Sequence, residues 1–233
     1  MLTWQQRAAV ERVVFPHYTD QVFGRLRAAL AEALHPGAFV LDAGSGSGTW
    51  VLRRHRPEID VAGLDLFRPD PVPSPRYAIG SLEAVPYADN LFDLVLCYDV
   101  IEHLEEPVAA FTEFWRVLKP GGLLVIKTPN LRGPTTRFSS LVPFSWHVAV
   151  QRALGTRESS VFPTLYRCNT PLDLTLALQA CGFTSESLYT VDETASYFAF
   201  VPATYALGLL YSRWMGHAAR AGWRNGMIGV FRK

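Results

Sequence analysis

The chain has 233 residues, 49% of them apolar, with 18% charged and a formal net charge of +1. That is enough apolar material for one large core, with or without an elaboration. The near-neutral balance argues against a general nucleic-acid binder. The first residues, MLTWQQRAAVERVV, have no uninterrupted apolar stretch, so no signal peptide is expected there. Cys97, Cys168 and Cys181 are odd in number and widely spaced, as expected of reduced thiols in a cytoplasmic protein.

Residues 3–14 and 20–34 read as helices, with Thr19-Asp20 offering an N-cap and Phe23, Leu26, Leu30 and Leu34 at helical spacing. Strands are predicted at 38–42, 59–64, 77–79, 92–98 and 123–127. Helices are predicted at 48–55, after a glycine-rich turn, and from Pro107 to Leu118, with Lys119-Pro120-Gly121-Gly122 as the stop. Alternating strands and helices imply a parallel sheet with right-handed crossovers. From Thr128 to Thr170 the pattern fails, and the segment reads as an insertion over the sheet. A helix from Pro171 to Cys181, a strand at 183–191, a helical stretch at 195–221 and a last strand at 227–232 complete the chain.

The sequence centres on Val40 to Trp50, VLDAGSGSGTW. A strand ending in glycines at every second position brings bare backbone close to a ligand, at the carboxyl end of a parallel strand. A dinucleotide fingerprint needs glycines at the first, third and sixth places. Counting from Gly44 the sixth place is Thr49, so that pattern is not met. The spacing is instead acid-x-Gly-x-Gly-x-Gly, from Asp42 through Gly48.

Four stretches in order resemble the class I S-adenosylmethionine-dependent methyltransferases: VLDAGSGSG, GLDLF (63–67), FDLVLCYDVIEHLEEP (92–107) and RVLKPGGLLVIKTPN (116–130). The resemblance covers roughly residues 36–130 and is nearest to the subgroup with the ubiquinone-pathway O-methyltransferases. It implies an α/β, Rossmann-like doubly wound sheet, mostly parallel with an antiparallel last strand and helices on both faces. The expected organisation is one domain over 1–233. It has a helical lid at 1–35, a cofactor core at 36–130 and an active-site insertion at 131–170. A C-terminal part at 171–233 carries the helical insertion 195–221.

The implied cofactor is S-adenosyl-L-methionine, leaving as S-adenosyl-L-homocysteine. It carries no phosphate, so the loop (Gly44, Ser45, Gly46, Gly48) faces ribose and methionine. The resemblance gives Asp65 the ribose hydroxyls, since a carboxylate has two oxygens for two donors. It gives Asp42 the loop and the methionyl ammonium. Leu66 joins the cofactor set, and Phe67 is a candidate stacking surface for adenine. The Gly80-Ser81-Leu82-Glu83 turn aligns with the adenine-reading segment, with Ser81 where most relatives carry aspartate. Tyr98 is expected beneath the methionine tail beside Cys97, which reads as a packed thiol. Tyr18 is a candidate lid residue, with His17 beside it.

Asp99, Glu102 and His103 follow the fourth strand at i, i+3 and i+4. For His103 three readings stand: general base, since imidazole titrates near neutral pH; fold-stabilising turn; or metal ligand with Asp99 and Glu102. His147 is a second candidate base.

No acid occurs between Phe114 and Arg157, whereas Arg116, Lys119, Lys127, Arg132, Arg137, Arg152 and Arg157 are basic. They fit an anionic acceptor or a solvated face equally well. Thr194 to Ser212 carries no charge and is aromatic-rich. It is broken by Pro202 and followed by a strand that must rejoin the sheet, which argues against a membrane span. Peripheral membrane contact, a homodimer face and a cap over a greasy acceptor all suit it. The expected activity is O-methylation of a small, sugar or lipid-linked acceptor. The alternatives are N- or C-methylation, or a catalytically silent cofactor-binding partner protein.

Overall fold

The computed structural model describes residues 1–46, 56–68, 76–142 and 162–233. In chain order the described elements are α1 (Trp4–Val14), α2 (Tyr18–Ala33), β1 (Phe39–Ala43), β2 (Asp60–Asp65), β3 (Tyr77–Ile79) and β4 (Phe92–Tyr98). Then come α3 (Pro107–Val117), β5 (Leu118–Pro129), α4 (Pro134–Leu141), α5 (Pro171–Ala180), β6 (Thr184–Val191), α6 (Thr194–Tyr197), α7 (Pro202–Met215) and β7 (Gly226–Arg232). The chain clusters into two compact units: 26–128, 167–189 and 228–233 form one, and 1–25, 129–166 and 190–227 the other.

The strands form one seven-stranded sheet in the order β3-β2-β1-β4-β5-β7-β6. β1 pairs in parallel with both β2 and β4, so the strand order reverses there and the crevice beyond their carboxyl ends is the natural ligand position. β7 runs against β5: Lys233 N–H donates to Gly122 and Asn130 N–H to the Asn225 carbonyl. The expected sheet, mostly parallel with an antiparallel last strand, is thus observed.

β4 is buried on both faces, with Phe92, Leu94, Val95 and Cys97 fully enclosed, as a central parallel strand requires. Each such side chain contributes roughly 1.5–3 kcal/mol by leaving water. α3 starts with Pro107 in its first turn and buries Ala110, Phe111, Phe114 and Val117 at helical spacing. From its last turn Arg116 reaches back to Glu113, Asp89 and the carbonyls of Val85 and Tyr87. That fan of donors fixes the loop before β4.

Three boundaries differ from the sequence expectation. β5 begins at Leu118 and holds Lys119 to Gly122 as an irregularity, because Phe92 pairs with Leu118 but Leu94 already with Leu123. Gly121, at φ 78°, makes that bulge accessible. α2 begins at Tyr18, since the Thr19 hydroxyl donates to Glu11 in α1 (3.0 Å) and does not cap. The 195–221 stretch is broken into α6, α7 and a short 3₁₀ turn at Ala218–Trp223. The extended Val201 and Pro202 at the start of α7 interrupt it.

The other unit is held by buried amides. Asn225 donates to Thr194, accepts from the Glu193 N–H, and gives its carbonyl to Asn130 N–H and the Thr136 hydroxyl. Arg224 spends its guanidinium on the carbonyls of Met215, Thr190 and Gly216. A cavity of about 140 Å³ lies in this unit, lined among others by Phe15, Tyr18, Asp192 and Ser212.

Two glycines test this packing. A Cβ on Gly133 would stand 2.6 Å from Asn225 Cα, whereas one on Gly24 would meet nothing within 4 Å. Gly133→Ala should destabilise by about 1–3 kcal/mol through overpacking. Gly24→Ala, inside α2, should stabilise by roughly 0.5–1 kcal/mol. Thermal unfolding of the two variants beside the parent measures both, and equal midpoints would contradict the packing described.

Candidate functional site

The site starts where β1 ends. After Ala43 the chain turns through Gly44 (φ 75°) and Gly46 (φ 48°), a backbone open to glycine and strained for other residues. The N–H groups of Gly44 and Ser45 both donate to the Leu64 carbonyl, at 2.8 and 3.1 Å. Gly44 presses on Val100, where an added Cβ would lie 2.4 Å from Cγ2, while among the described residues nothing stands within 4 Å of one on Gly46. Among those residues the turn is closed at Gly44 and open at Gly46.

Asp65, the last residue of β2, grips this turn. Its Oδ2 accepts from Gly46 N–H at 2.8 Å and its Oδ1 from Phe67 N–H at 3.2 Å. Each carboxylate oxygen keeps a further lone pair for an incoming donor. Leu66 and Phe67 follow with exposed side chains. The Tyr77 hydroxyl donates to the Phe67 carbonyl at 2.9 Å and lies 3.3 Å from that of Gly46, bridging the two turns. Burial, with Asp65 and Asp42 nearby, pushes its phenol up to about 12.

Asp42 sits on β1 opposite Gly63 and Leu96. Burial, reinforced by the Asp65 charge, pushes its carboxyl up to about 7. At neutral pH this acid is poised between its two forms, and a cation beside it would favour ionisation. Burial also raises the Tyr98 phenol, with Asp42 adding to it. Cys97 is fully enclosed and its thiol is likewise pushed up. Ser81 accepts from Glu83 N–H at 3.1 Å, which shapes the turn, and Leu82 is buried.

Past β4, Asp99 adopts φ 53°, uncommon for a residue with a side chain. Both its carboxylate oxygens take the Lys127 ammonium, at 2.9 and 3.0 Å. Glu102 turns inward, where its Oε2 accepts from the Thr128 hydroxyl at 3.0 Å, and Thr128 Oγ1 in turn accepts from Asn169 Nδ2 at 2.7 Å. Burial pushes the Glu102 carboxyl up to about 7. His103 is half-buried, with Nε2 3.9 Å from Glu102 Oε1. Asp99 thus faces Lys127 and Glu102 faces Thr128, while His103 lies beside Glu102. Among the described residues no group of three His, Cys, Asp or Glu side chains is placed to hold a metal ion.

The basic stretch is less available than its composition suggests. Arg116 is paired with Glu113 and Asp89, Lys119 with Asp93, and Lys127 with Asp99. Arg132 and Arg137 are exposed. Gly48, His147, Arg152 and Arg157 lie outside the described residues. Tyr18 is buried in the other unit against Phe15, its phenol raised by burial and by Glu193, and His17 is exposed.

Sequence reasoning missed Tyr77, Val100 and the Thr128–Asn169 chain. A tyrosine opening an edge strand is ordinary sheet composition, and Val100 has no motif of its own. Asn169 is far in sequence from the glutamate it serves through Thr128, so no local pattern joins them.

The residues present suit a nucleoside with a cationic amino-acid tail. Gly46 leaves backbone bare, Asp65 accepts among the described residues only the Gly46 and Phe67 N–H groups, and Asp42 offers a carboxylate that a cation would ionise. Residues 41–126 match the family described as "Methyltransferase domain". The chain is 32% identical over 162 residues to a ubiquinone biosynthesis O-methyltransferase of Cereibacter sphaeroides, covering 64% of each chain. It is 35% identical over 116 residues to a demethylmenaquinone methyltransferase of Deinococcus radiodurans, covering 44% of this chain and 48% of that one. It therefore spans less than two thirds of either relative. Its fold is similar to that of an S-adenosylmethionine dependent methyltransferase from Mesorhizobium loti, with TM-score 0.59 and 19% identity, covering 91% of this chain and 97% of that one. Residues 41–126 thus carry a methyltransferase domain, and the chain is similar in sequence and fold to S-adenosylmethionine-dependent methyltransferases, which implies S-adenosyl-L-methionine as cofactor.

Proposed function

We propose that the protein transfers the methyl group of S-adenosylmethionine to a hydroxyl oxygen of a small or lipid-linked acceptor in the cytoplasm. The observation that supports this most is the pair of carboxylates around one bare glycine turn, Asp65 gripping Gly46 and Asp42 raised to about 7. The cofactor supplies an electrophilic methyl on a sulfonium, and transfer leaves a neutral thioether. The chain's own residues align the reactants and exclude water, the main source of rate in such a displacement. In this reading Asp65 accepts the ribose hydroxyls, Phe67 offers a face to adenine, and Asp42 meets the ammonium. His103 takes the acceptor proton on a ring nitrogen, with buried Glu102 behind it. The O-methyltransferase named among the relatives favours oxygen as the acceptor atom.

Titration calorimetry with S-adenosylmethionine checks the cofactor assignments. Asp65→Ala should weaken binding about 100-fold, from two lost charge-assisted hydrogen bonds. Unchanged affinity would remove Asp65 from the site. The Asp42 prediction has a definite sign. Its carboxyl is raised, so the unliganded protein holds the proton below about pH 7, while the ammonium favours the ionised form. Affinity should therefore rise with pH toward 7, by up to about tenfold per unit below it, and level off above. Asp42→Asn should flatten the profile. The same variant should raise the unfolding midpoint at pH 8, because ionising a carboxyl with a raised pKa costs stability above its ordinary range.

His103→Ala should lower turnover roughly 10²–10⁴-fold with cofactor affinity retained. The assay is transfer of labelled methyl to an alkylcatechol. A variant with full activity would exclude His103 as base, and transfer to an alkylamine in place of the catechol would overturn the choice of oxygen.

A further inference from the structure

α7 is apolar on both sides. Its inward stripe is Tyr205, Gly208, Leu209, Ser212 and Met215, which fills the unit formed by 1–25, 129–166 and 190–227. The solvent side of such a helix is ordinarily polar. Here Ala203, Leu207, Leu210 and Trp214 recur on it at spacings of four, three and four, and all are exposed. Leu207 is 66% exposed, Leu210 52% and Trp214 53%. The apolar exposure continues beyond both ends of the helix, through Phe200 at its start and Trp223 after its end. Leu2 N–H donates to the Ala199 carbonyl at 2.8 Å, which brings the beginning of α1, with Trp4 76% exposed, beside the same segment.

The charge on this segment has one sign, and the neighbouring Glu11 of α1 is taken by the inward-facing Tyr205 hydroxyl. No acid occurs from Thr194 to Lys233. Arg213 is exposed on α7, and the Arg220 guanidinium lies 4.0 Å over the Trp214 ring. Tryptophans beside arginines on an apolar helix face match the boundary between headgroups and acyl chains, where the ring is half-buried and the cation stays with phosphate. A second copy of the chain fits less well. A two-fold contact would set this basic patch against itself, with no carboxylate in the segment to answer it. Among the described residues no helix is long and apolar enough to cross a membrane, so the contact is one of lying on the surface.

We propose that this face, built on α7, docks the protein on an anionic lipid surface. This goes beyond the methyl-transfer reading, and its test uses no methyl transfer, so the two stand or fall separately. The full chain is sedimented with phosphatidylcholine vesicles, with and without one part in four of phosphatidylglycerol. Binding should be at least about tenfold tighter to the anionic vesicles and should weaken at high salt. Arg213→Gln with Arg220→Gln should lose about tenfold or more on the anionic vesicles, at roughly fivefold per arginine. Leu207→Ser with Leu210→Ser should abolish binding while leaving S-adenosylmethionine affinity intact, which also certifies that the variant is folded. In the unsubstituted protein, brominated lipid should quench the tryptophan emission, a readout that needs no variant. Absence of binding, or equal binding to both vesicle types, would overturn the proposal. So would a concentration-dependent dimer that the Leu207→Ser, Leu210→Ser pair dissolves, which would assign the face to a second copy.

Discussion

The Leu64 carbonyl receives two N–H groups from the turn after β1, and the next side chain, Asp65, receives a third. The glycine turn is thus held by the end of the neighbouring strand as much as by its own. Gly44, Ser45 and Gly46 stay where they are only while β1 and β2 keep their register. That coupling explains why Gly44 tolerates no side chain, for Val100 fills the space beneath it. The turn, the acid and the hydrophobic floor form one mechanical piece, and the parallel pairing of β1 with β2 and β4 determines its shape.

Two carboxyl groups in this unit, Asp42 and Glu102, are both pushed up to about 7 by burial, yet their surroundings differ. Glu102 is answered by Thr128, which is in turn held by Asn169, so its environment is complete. Asp42 has the Asp65 charge nearby, which raises it further. A group held in that condition is receptive to a cation, which is the property the proposed function draws on. Asp99 shows the opposite solution: Lys127 satisfies it on both oxygens, and its left-handed backbone is tolerated at the strand end.

The sheet and the glycine turn are legible in the sequence because both depend on short-range signals: apolar runs, glycine spacing and an acid at a strand end. The four motif stretches locate Asp42 on β1, Asp65 at the end of β2 and the turn at Gly44 and Gly46. Less legible were features that depend on distant contacts. The bulge at Lys119 to Gly122 looked like a helix stop, since two glycines after a proline signal a break, and only pairing with β4 makes them part of a strand. Thr19 looked like a cap until Glu11 of α1 claimed its hydroxyl. The row of basic residues from Arg116 to Arg157 suggested an anion site by composition. Three of them answer acids on other elements, which composition does not reveal.

The three cysteines differ in their chemistry. Cys97 is enclosed within the sheet and Cys168 is buried, and for both the thiolate that reacts with electrophiles is suppressed. Cys181, just past α5, is only partly covered, with its sulfur near the Thr112 hydroxyl and the Val108 carbonyl on α3. A maleimide dye will therefore enter the native protein at a single place among these thiols. That place reports on the seam between α3 and α5, so the protein comes with a built-in attachment point for fluorescence or surface immobilisation.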